Sequence, residues 1–241
     1  MTQRLVMIIT GPLPDGITFK WLSDQPFLGK LVREGLWAEL DIHGADSLEQ
    51  TWSFLTEGTT APQPGSRPLW EILEESGKKI SVIGSPVSLP PQISKSRIEM
   101  PKLLSQGEWD LVINFQTPNT LDEGEMKQAS DLDYWQKFDR DLEEIVKVEG
   151  DGPLIFILAV GDQDQTKSWI IAGGPNTASI GNPGPISILD IPSTILWLLD
   201  IDLPPGMDGR VMNEILDLDE DLTQDEIDLL TDHLRGLGYL G

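Results

Sequence analysis

Short apolar runs alternate with stretches of helical periodicity along the 241 residues of this chain. Several of the apolar runs contain no polar position, which is typical of strands buried on both faces of a mostly parallel sheet. Apolar residues spaced three and four apart indicate the helices that cover such a sheet. The strands are predicted over 5–10, 36–42, 79–84, 109–115, 153–160 and 168–172, and the helices over 27–35, 49–56, 67–76, 125–148, 191–199 and 225–234. The pattern predicts an α/β fold, with helices on both faces of a mostly parallel sheet.

Composition agrees with one globular domain. The chain is 39% hydrophobic and 24% charged, shows no repeat or linker, and fits a single domain over residues 1–241. No apolar run approaches the roughly 20 residues that span a bilayer. The N-terminal run Leu5–Ile9 is too short for a signal peptide, so we expect a cytoplasmic protein. Because cysteine is absent, disulfides, thiolate nucleophiles and Cys-ligated zinc are excluded.

The formal net charge of −23 bears on the choice of partners. Such a charge repels phosphates, which argues against nucleic acid and against anionic membrane surfaces. Part of this negative charge lies in the acidic C-terminal helical segment 214–241. Nine carboxylates occur from Glu214 to Asp232 inclusive, interleaved with Leu and Ile. One interpretation is the solvated face of a helix with an apolar underside. The other is a surface for a partner or a divalent cation.

Several stretches of the chain carry a family resemblance when they are taken in order. They are residues 22–35, 52–56 and 69–86, followed by the C-terminal runs 188–200, 204–211 and 234–241. Together they resemble the alkaline phosphatase superfamily, in its type I phosphodiesterase and nucleotide pyrophosphatase branch. The resemblance implies a truncated alkaline phosphatase-like core.

The resemblance also implies a nucleophile position. In this family a Thr or Ser attacks phosphorus, and two metal ions held by Asp and His activate it. The nucleophile precedes the Thr of a Thr-Gly motif by nine residues, and counting back from Thr56 reaches Ser47. A Ser that follows Asp46 directly before a helix is also typical of an N-cap. Both interpretations stand, and the cap is the one we favour.

Most of the metal ligands that the resemblance implies are missing at the start of the chain. Thr10-Gly11-Pro12 stands at the end of the first strand, where the family carries Asp-Gly. Gln63-Pro64-Gly65 stands where the family carries His-Gly. Of the two histidines, His43 and His233, neither fills a gap.

The later ligand positions are altered as well. After strand 109–115, Asn119 and Glu123 replace Asp and His. After strand 153–160, Asp162 keeps a ligand position, but Gln163 replaces the imidazole that the family carries next. A site rebuilt from such oxygen donors would be harder and would favour Mg or Mn over zinc.

We therefore expect a non-catalytic, degenerate member of this family, without a cofactor, that acts as a scaffold or binds a protein partner through its acidic surface. A first alternative is a metal-dependent phosphoric ester hydrolase with a reduced, carboxylate-rich site. Asp46, Glu123, Asp162 and Asp164 would hold one Mg or Mn ion there, and Ser47 or a water would attack the ester. A second alternative is a small-ligand binder in the crevice that the lost active site leaves.

Overall fold

A computed structural model gives the architecture. It describes residues 3–13, 17–61, 66–85, 87–95, 103–105, 108–116, 132–146, 152–161, 167–175 and 177–215. The strands are β1 Leu5–Thr10, β2 Leu36–Asp41, β3 Ile80–Ile83, β4 Ser94–Lys95, β5 Leu111–Gln116, β6 Leu154–Ala159, β7 Trp169–Gly173 and β8 Ile186–Ser187. The helices are α1 Phe19–Ser23, α2 Leu28–Glu34, α3 Leu48–Glu57, α4 Leu69–Glu75, α5 Leu132–Val146 and α6 Asp190–Leu198, and a 3₁₀ turn covers Asn213–Ile215.

The strands form one sheet in the order β4-β3-β5-β1-β6-β7-β2-β8. All neighbouring pairs are parallel except those that β7 makes with β6 and β2. The central strand β1 pairs Ile8 with Asn114 on one side and with Ile157 on the other. Seven strands therefore end at the same edge of the sheet, which we call the carboxyl edge.

Helices cover both faces of this sheet, as the alternation of side chains along β1 requires. Leu5, Met7 and Ile9 face a cluster that includes Trp52 of α3, Leu73 of α4 and Ile195 of α6. Val6 and Ile8 face the opposite cluster, which α1, α2 and α5 complete with side chains that include Leu22, Leu31 and Trp135. All side chains of β1 are buried. The predicted α/β class is confirmed.

The structure adds elements that the periodicity did not predict. Helix α1 and the two-residue strands β4 and β8 are too short to leave a pattern in the sequence. The strand predicted from Trp109 begins two residues later at Leu111, and the helix predicted over 125–148 is described over Leu132–Val146. The helix predicted over 225–234 and most of segment 214–241 lie outside the described residues. Within the described part of the chain, no helix has the length and apolarity that crossing a membrane requires.

Candidate functional site

The carboxyl edge is where an open α/β sheet places its site, because the loops after parallel strands meet there. Strand β2 ends at this edge with Asp41, and the loop that follows contains His43, Asp46 and Ser47. Strand β1 ends there at Thr10, which is buried and accepts a hydrogen bond from the Val160 amide on its backbone oxygen at 3.0 Å. The end of β2 and the loop after it therefore bring four polar side chains to the described part of the edge.

Ser47 is the N-cap of α3. Its backbone is extended, and its hydroxyl accepts a hydrogen bond from the Gln50 amide at 3.2 Å. The Gln50 side chain reaches back and accepts from the Asp46 amide at 3.0 Å, which makes a reciprocal cap of the kind that a Ser-x-x-Gln pattern favours. The favoured interpretation of Ser47 as a cap agrees with this geometry. Its role as a nucleophile remains a prediction.

The other predicted site residues follow strands whose ends the structure describes only in part. Glu123, Asp162 and Asp164 lie outside the described residues, and the chain is described up to Gly161 after β6. Since β7 lies between β6 and β2, and neighbouring strands are about 4.8 Å apart, the ends of β6 and β2 are roughly 10 Å apart. Asp46 and Ser47 thus share the carboxyl edge with the end of β6.

A hydroxyl, an imidazole and a carboxylate meet at this edge where β2 and β8 run side by side. His43 Nε2 lies 2.7 Å from Ser187 Oγ, and His43 Nδ1 lies 3.9 Å from Asp41 Oδ2. The second Asp41 oxygen accepts a hydrogen bond from the His43 amide at 2.8 Å. Sequence reasoning missed this group, because 144 positions separate His43 from Ser187 and no local motif connects them.

The Asp190 helix and the Asp208-Gly-Arg turn, both part of the family resemblance, are joined in the structure. The buried Asp190 carboxylate accepts from the Arg210 amide at 2.9 Å, and Arg210 Nε lies 3.7 Å from it. Burial is the largest influence on the Asp190 carboxyl and raises its pKa, against the hydrogen bond from the Arg210 amide and the charge of the guanidinium. Arg210 also pairs with Glu214.

The same turn is tied to the end of α3. Thr59 Oγ1 donates to Asp208 Oδ2 at 2.6 Å, and the Asp208 amide donates to the Gly58 carbonyl at 2.8 Å. Gly209 lies so close to α6 that a Cβ there would come within 1.9 Å of the Leu189 carbonyl oxygen. These contacts give the C-terminal motif a structural role, in which it holds α6 against α3.

Few metal donors lie close together at the described part of the edge. Among the residues that the structure describes, no three His, Asp or Glu side chains come near enough to one another to hold a metal ion. Strand β1 is central, yet Thr10 and Gly11 at its end carry no carboxylate or imidazole. The described donor set does not fit a two-metal centre.

Replacing Ser47 by alanine should lower the free energy of unfolding by about 1 kcal/mol, because the Gln50 amide loses its acceptor. Ser47→Asn is the matched control, since an Asn side chain caps helices about as well as Ser. Denaturant unfolding of both variants measures the difference. Equal stability of the alanine variant and the unmodified protein would contradict the cap.

No protein-family model and no curated protein matches the chain. Solved structures do match. A 2-O GAG sulfatase aligns with a TM-score of 0.68 and 12% identity, over 92% of this chain and 76% of its own.

Two further structures extend the comparison. A protein in the alkaline phosphatase superfamily from Vibrio parahaemolyticus aligns with a TM-score of 0.57 and 16% identity, over 93% of this chain and 71% of its own. Murine ectonucleotide pyrophosphatase/phosphodiesterase 5, solved in an inactive form with AMP, aligns with a TM-score of 0.58 and 8% identity, over 85% of this chain and 96% of its own. At these identities the likeness establishes the fold: the chain has the alkaline phosphatase-like architecture that its sequence resembles.

Proposed function

We propose that this chain binds a protein partner with a cationic surface, and that it does not hydrolyse phosphoesters through a two-metal centre. Its structural neighbours include sulfatases and phosphodiesterases, but a shared fold does not carry a shared activity. The proposal therefore depends on the residues of the carboxyl edge and on the charge of the chain.

The observation that carries the proposal is the set of donors at the carboxyl edge. A zinc-like ion in such a fold needs Asp carboxylates and neutral imidazoles that converge on one point. The whole chain has two histidines, and the Nε2 of one of them, His43, is engaged by Ser187. Thr10 ends the central strand and Gly11 follows it, so neither position offers a metal ligand of this kind, and the Ser47 hydroxyl caps a helix. These features support loss of two-metal chemistry with retention of the fold.

The charge of the chain supports the cationic partner. Ion pairs in the described part place Lys30, Lys79 and Lys167 beside Glu34, Glu108 and Glu39. Even with every cation paired, the formal net charge of −23 leaves a large excess of carboxylates. Such a field steers a positively charged protein to the surface at low salt.

The rival function is hydrolysis of a phosphate ester at one Mg or Mn ion held by oxygen ligands. Asp46 is the described member of that ligand set, and Glu123, Asp162 and Asp164 lie outside the described residues. One observation supports this alternative function. Asp46 and Ser47 lie at the same edge of the sheet as the end of β6.

Metal content and turnover separate the two functions. Purified protein should contain far less than one equivalent of zinc by elemental mass spectrometry. With added Mn²⁺ or Mg²⁺, it should hydrolyse bis(p-nitrophenyl) phosphate no faster than the Ser47→Ala and Asp162→Asn variants. Stoichiometric metal, or turnover that needs Mn²⁺ and is lost in both variants, would instead establish the reduced-site hydrolase.

The partner surface is tested by charge reversal. We expect a protein captured from a cytoplasmic extract at low ionic strength to be lost when Asp219, Glu220 and Asp221 are changed to Lys. The matched control changes the exposed Glu34, Glu71 and Glu75 to Lys, which alters the net charge by the same amount. Equal loss in both variants would show attraction to net charge alone and would contradict a specific acidic surface.

A further inference from the structure

We propose that Ser187 is a nucleophile activated by His43, and that this site acts on small neutral carboxylic esters. The inference does not rest on the proposed partner binding, although the same His43–Ser187 contact also supports the loss of two-metal chemistry. His43 Nε2 lies 2.7 Å from Ser187 Oγ, and Asp41 lies on the other side of the imidazole ring. A hydroxyl within hydrogen-bond reach of a base that a third group orients is the general arrangement of an activated nucleophile.

The hydrogen bonds around Ser187 orient its hydroxyl proton toward His43 Nε2. Asp41 Oδ2 faces His43 Nδ1 at 3.9 Å, and a carboxylate on that side favours the tautomer that carries its proton on Nδ1. In this tautomer Nε2 is an acceptor, so the Ser187 hydroxyl donates to it. The Leu189 amide donates to Ser187 Oγ at 3.1 Å, which leaves the hydroxyl proton free to point at the imidazole. The Leu189 amide thus donates to the Ser187 hydroxyl, and the Ser187 hydroxyl donates to His43 Nε2.

Backbone pairing between β8 and β2 holds Ser187 in place beside Asp41. Strand β8 pairs Ser187 with Asp41 in parallel register, and the Ile188 amide donates to the Asp41 carbonyl at 2.9 Å. The Ser187 amide also favours the charged form of the buried Asp190 carboxylate. Because Asp190 is itself held by the Arg210 amide, the hydroxyl is positioned by the same contacts that hold α6 in place.

The imidazole is held in an unusual backbone conformation and remains accessible. His43 has a φ of 52°, in the left-handed region that few residues other than Gly adopt. The hydrogen bond from its amide to Asp41 supports this turn. The His43 side chain is 33% exposed, and a Cβ built on the neighbouring Gly44 would meet no atom within 4 Å. The imidazole side of the pair is therefore accessible from solvent.

Charge decides between an acyl and a phosphoryl substrate. Asp41 ends β2, Asp46 lies in the same loop as His43, and Asp190 lies three residues beyond Ser187. Lys167 pairs with Glu39 of β2, and Arg210 pairs with Asp190 and Glu214. An anionic phosphate ester would meet this negative field, whereas a neutral carboxylic ester would not.

The reaction would proceed in two balanced steps. Ser187 Oγ forms a bond to the carbonyl carbon while its proton passes to His43 Nε2, and the bond to the leaving alkoxide breaks as His43 returns that proton to it. Water then attacks the acyl-serine and gives a proton to His43. The carboxylic acid leaves when Ser187 Oγ recovers the proton from the imidazole.

A fluorophosphonate probe tests the nucleophile directly, because it forms a stable bond to an activated serine oxygen with loss of fluoride. We expect one adduct per chain, which peptide mass spectrometry places on Ser187. The Ser187→Ala variant should show no adduct. The His43→Asn variant keeps the hydroxyl and tolerates the left-handed backbone, and it should label at least about 100-fold more slowly, in the range that removal of a general base costs.

Hydrolysis of p-nitrophenyl acetate gives the second readout. The same two variants should lose the serine-dependent turnover, while Ser53→Ala, which removes a hydroxyl bonded to Glu57 on α3, should keep it. Circular dichroism and the thermal midpoint of each variant show whether it is folded. A folded His43→Asn variant that labels as fast as the unmodified protein would overturn the proposal. An adduct on any serine other than Ser187 would overturn it as well.

Asp41 acts through His43 and is a positioning residue. Asp41→Asn keeps an oxygen for the His43 amide but removes the charge beside Nδ1. We expect kcat for the ester to fall about 10-fold or more with KM little changed, since the substrate does not touch this side chain. Asp41→Glu should recover part of kcat. A change in KM alone, or no recovery by Glu, would contradict this role.

Discussion

Replacing Asp190 by alanine is expected to lower the free energy of unfolding by about 3 kcal/mol. The carboxylate is buried and accepts a hydrogen bond from the Arg210 amide, and the Ser187 amide also favours its charged form. Removal leaves the Arg210 amide without its acceptor, and a buried donor without a partner costs about 1–3 kcal/mol. Arg210 also loses a partner, although it keeps Glu214. Denaturant unfolding measures the loss.

Asp190→Asn is the control for this prediction. The amide has nearly the same shape and keeps one oxygen for the Arg210 amide, so it should cost less than the alanine variant. Arg210→Ala should also cost less, because the Arg210 backbone amide that Asp190 binds is retained. If Asp190→Ala and Arg210→Ala were equally destabilising, the ion pair and not the backbone contacts would hold the C-terminal motif.

Replacing Asp139 by alanine should cost a similar amount, about 3 kcal/mol, at the other face of the sheet. Asp139 lies on α5 and is 1% exposed. Its Oδ1 accepts from the Leu28 amide at 2.6 Å and from the Phe27 amide at 3.1 Å, so it caps the start of α2 from a distant part of the chain. Helix α2 has no side-chain cap of its own. Without Asp139, the amides at its start lose their acceptor.

The pH dependence gives this second prediction an independent measurement. Burial raises the pKa of the Asp139 carboxyl above its usual 3.8, more than the hydrogen bonds from Leu28 and Phe27 lower it. The folded state therefore binds this proton more tightly than the unfolded chain does. The contribution of this group to stability is full below pH 3.8 and is lost as the pH rises through the raised folded pKa.

Asp139→Asn should remove this dependence, because the amide does not titrate, while keeping an acceptor for the Leu28 amide. Its free energy of unfolding should change less steeply than that of the unmodified protein over the acidic range above pH 3.8. Unfolding curves at several pH values measure both slopes. Parallel slopes would show that other carboxyls set the pH dependence.

The α/β class could be predicted from the sequence because it follows from local pattern. A run such as Leu154–Ala159 has no polar position, so it has to be buried on both faces, and helices have to supply the cover. The family resemblance led to the same architecture, which the solved structures confirm. The boundaries were less well predicted. Strands of two residues, such as Ser94–Lys95, carry too little pattern to be recognised.

The site was predicted less completely than the fold. Ser47 could be recognised as a cap, because a cap depends on residues within one turn of it. The long-range contacts could not. Asp139 caps α2 across 111 positions, and nothing in the sequence near either residue indicates the other.

The sequence by itself determined the class of the fold, the capped start of α3 and the scarcity of histidine, since each depends on composition or on neighbours along the chain. Only the tertiary structure decided which polar groups meet. Strand order brought β8 beside β2 and placed Ser187 against His43, and burial fixed Asp190 and Asp139 as acceptors for distant amides. The physical reason is that a buried amide needs an acceptor wherever the fold provides one, and sequence distance does not limit that choice.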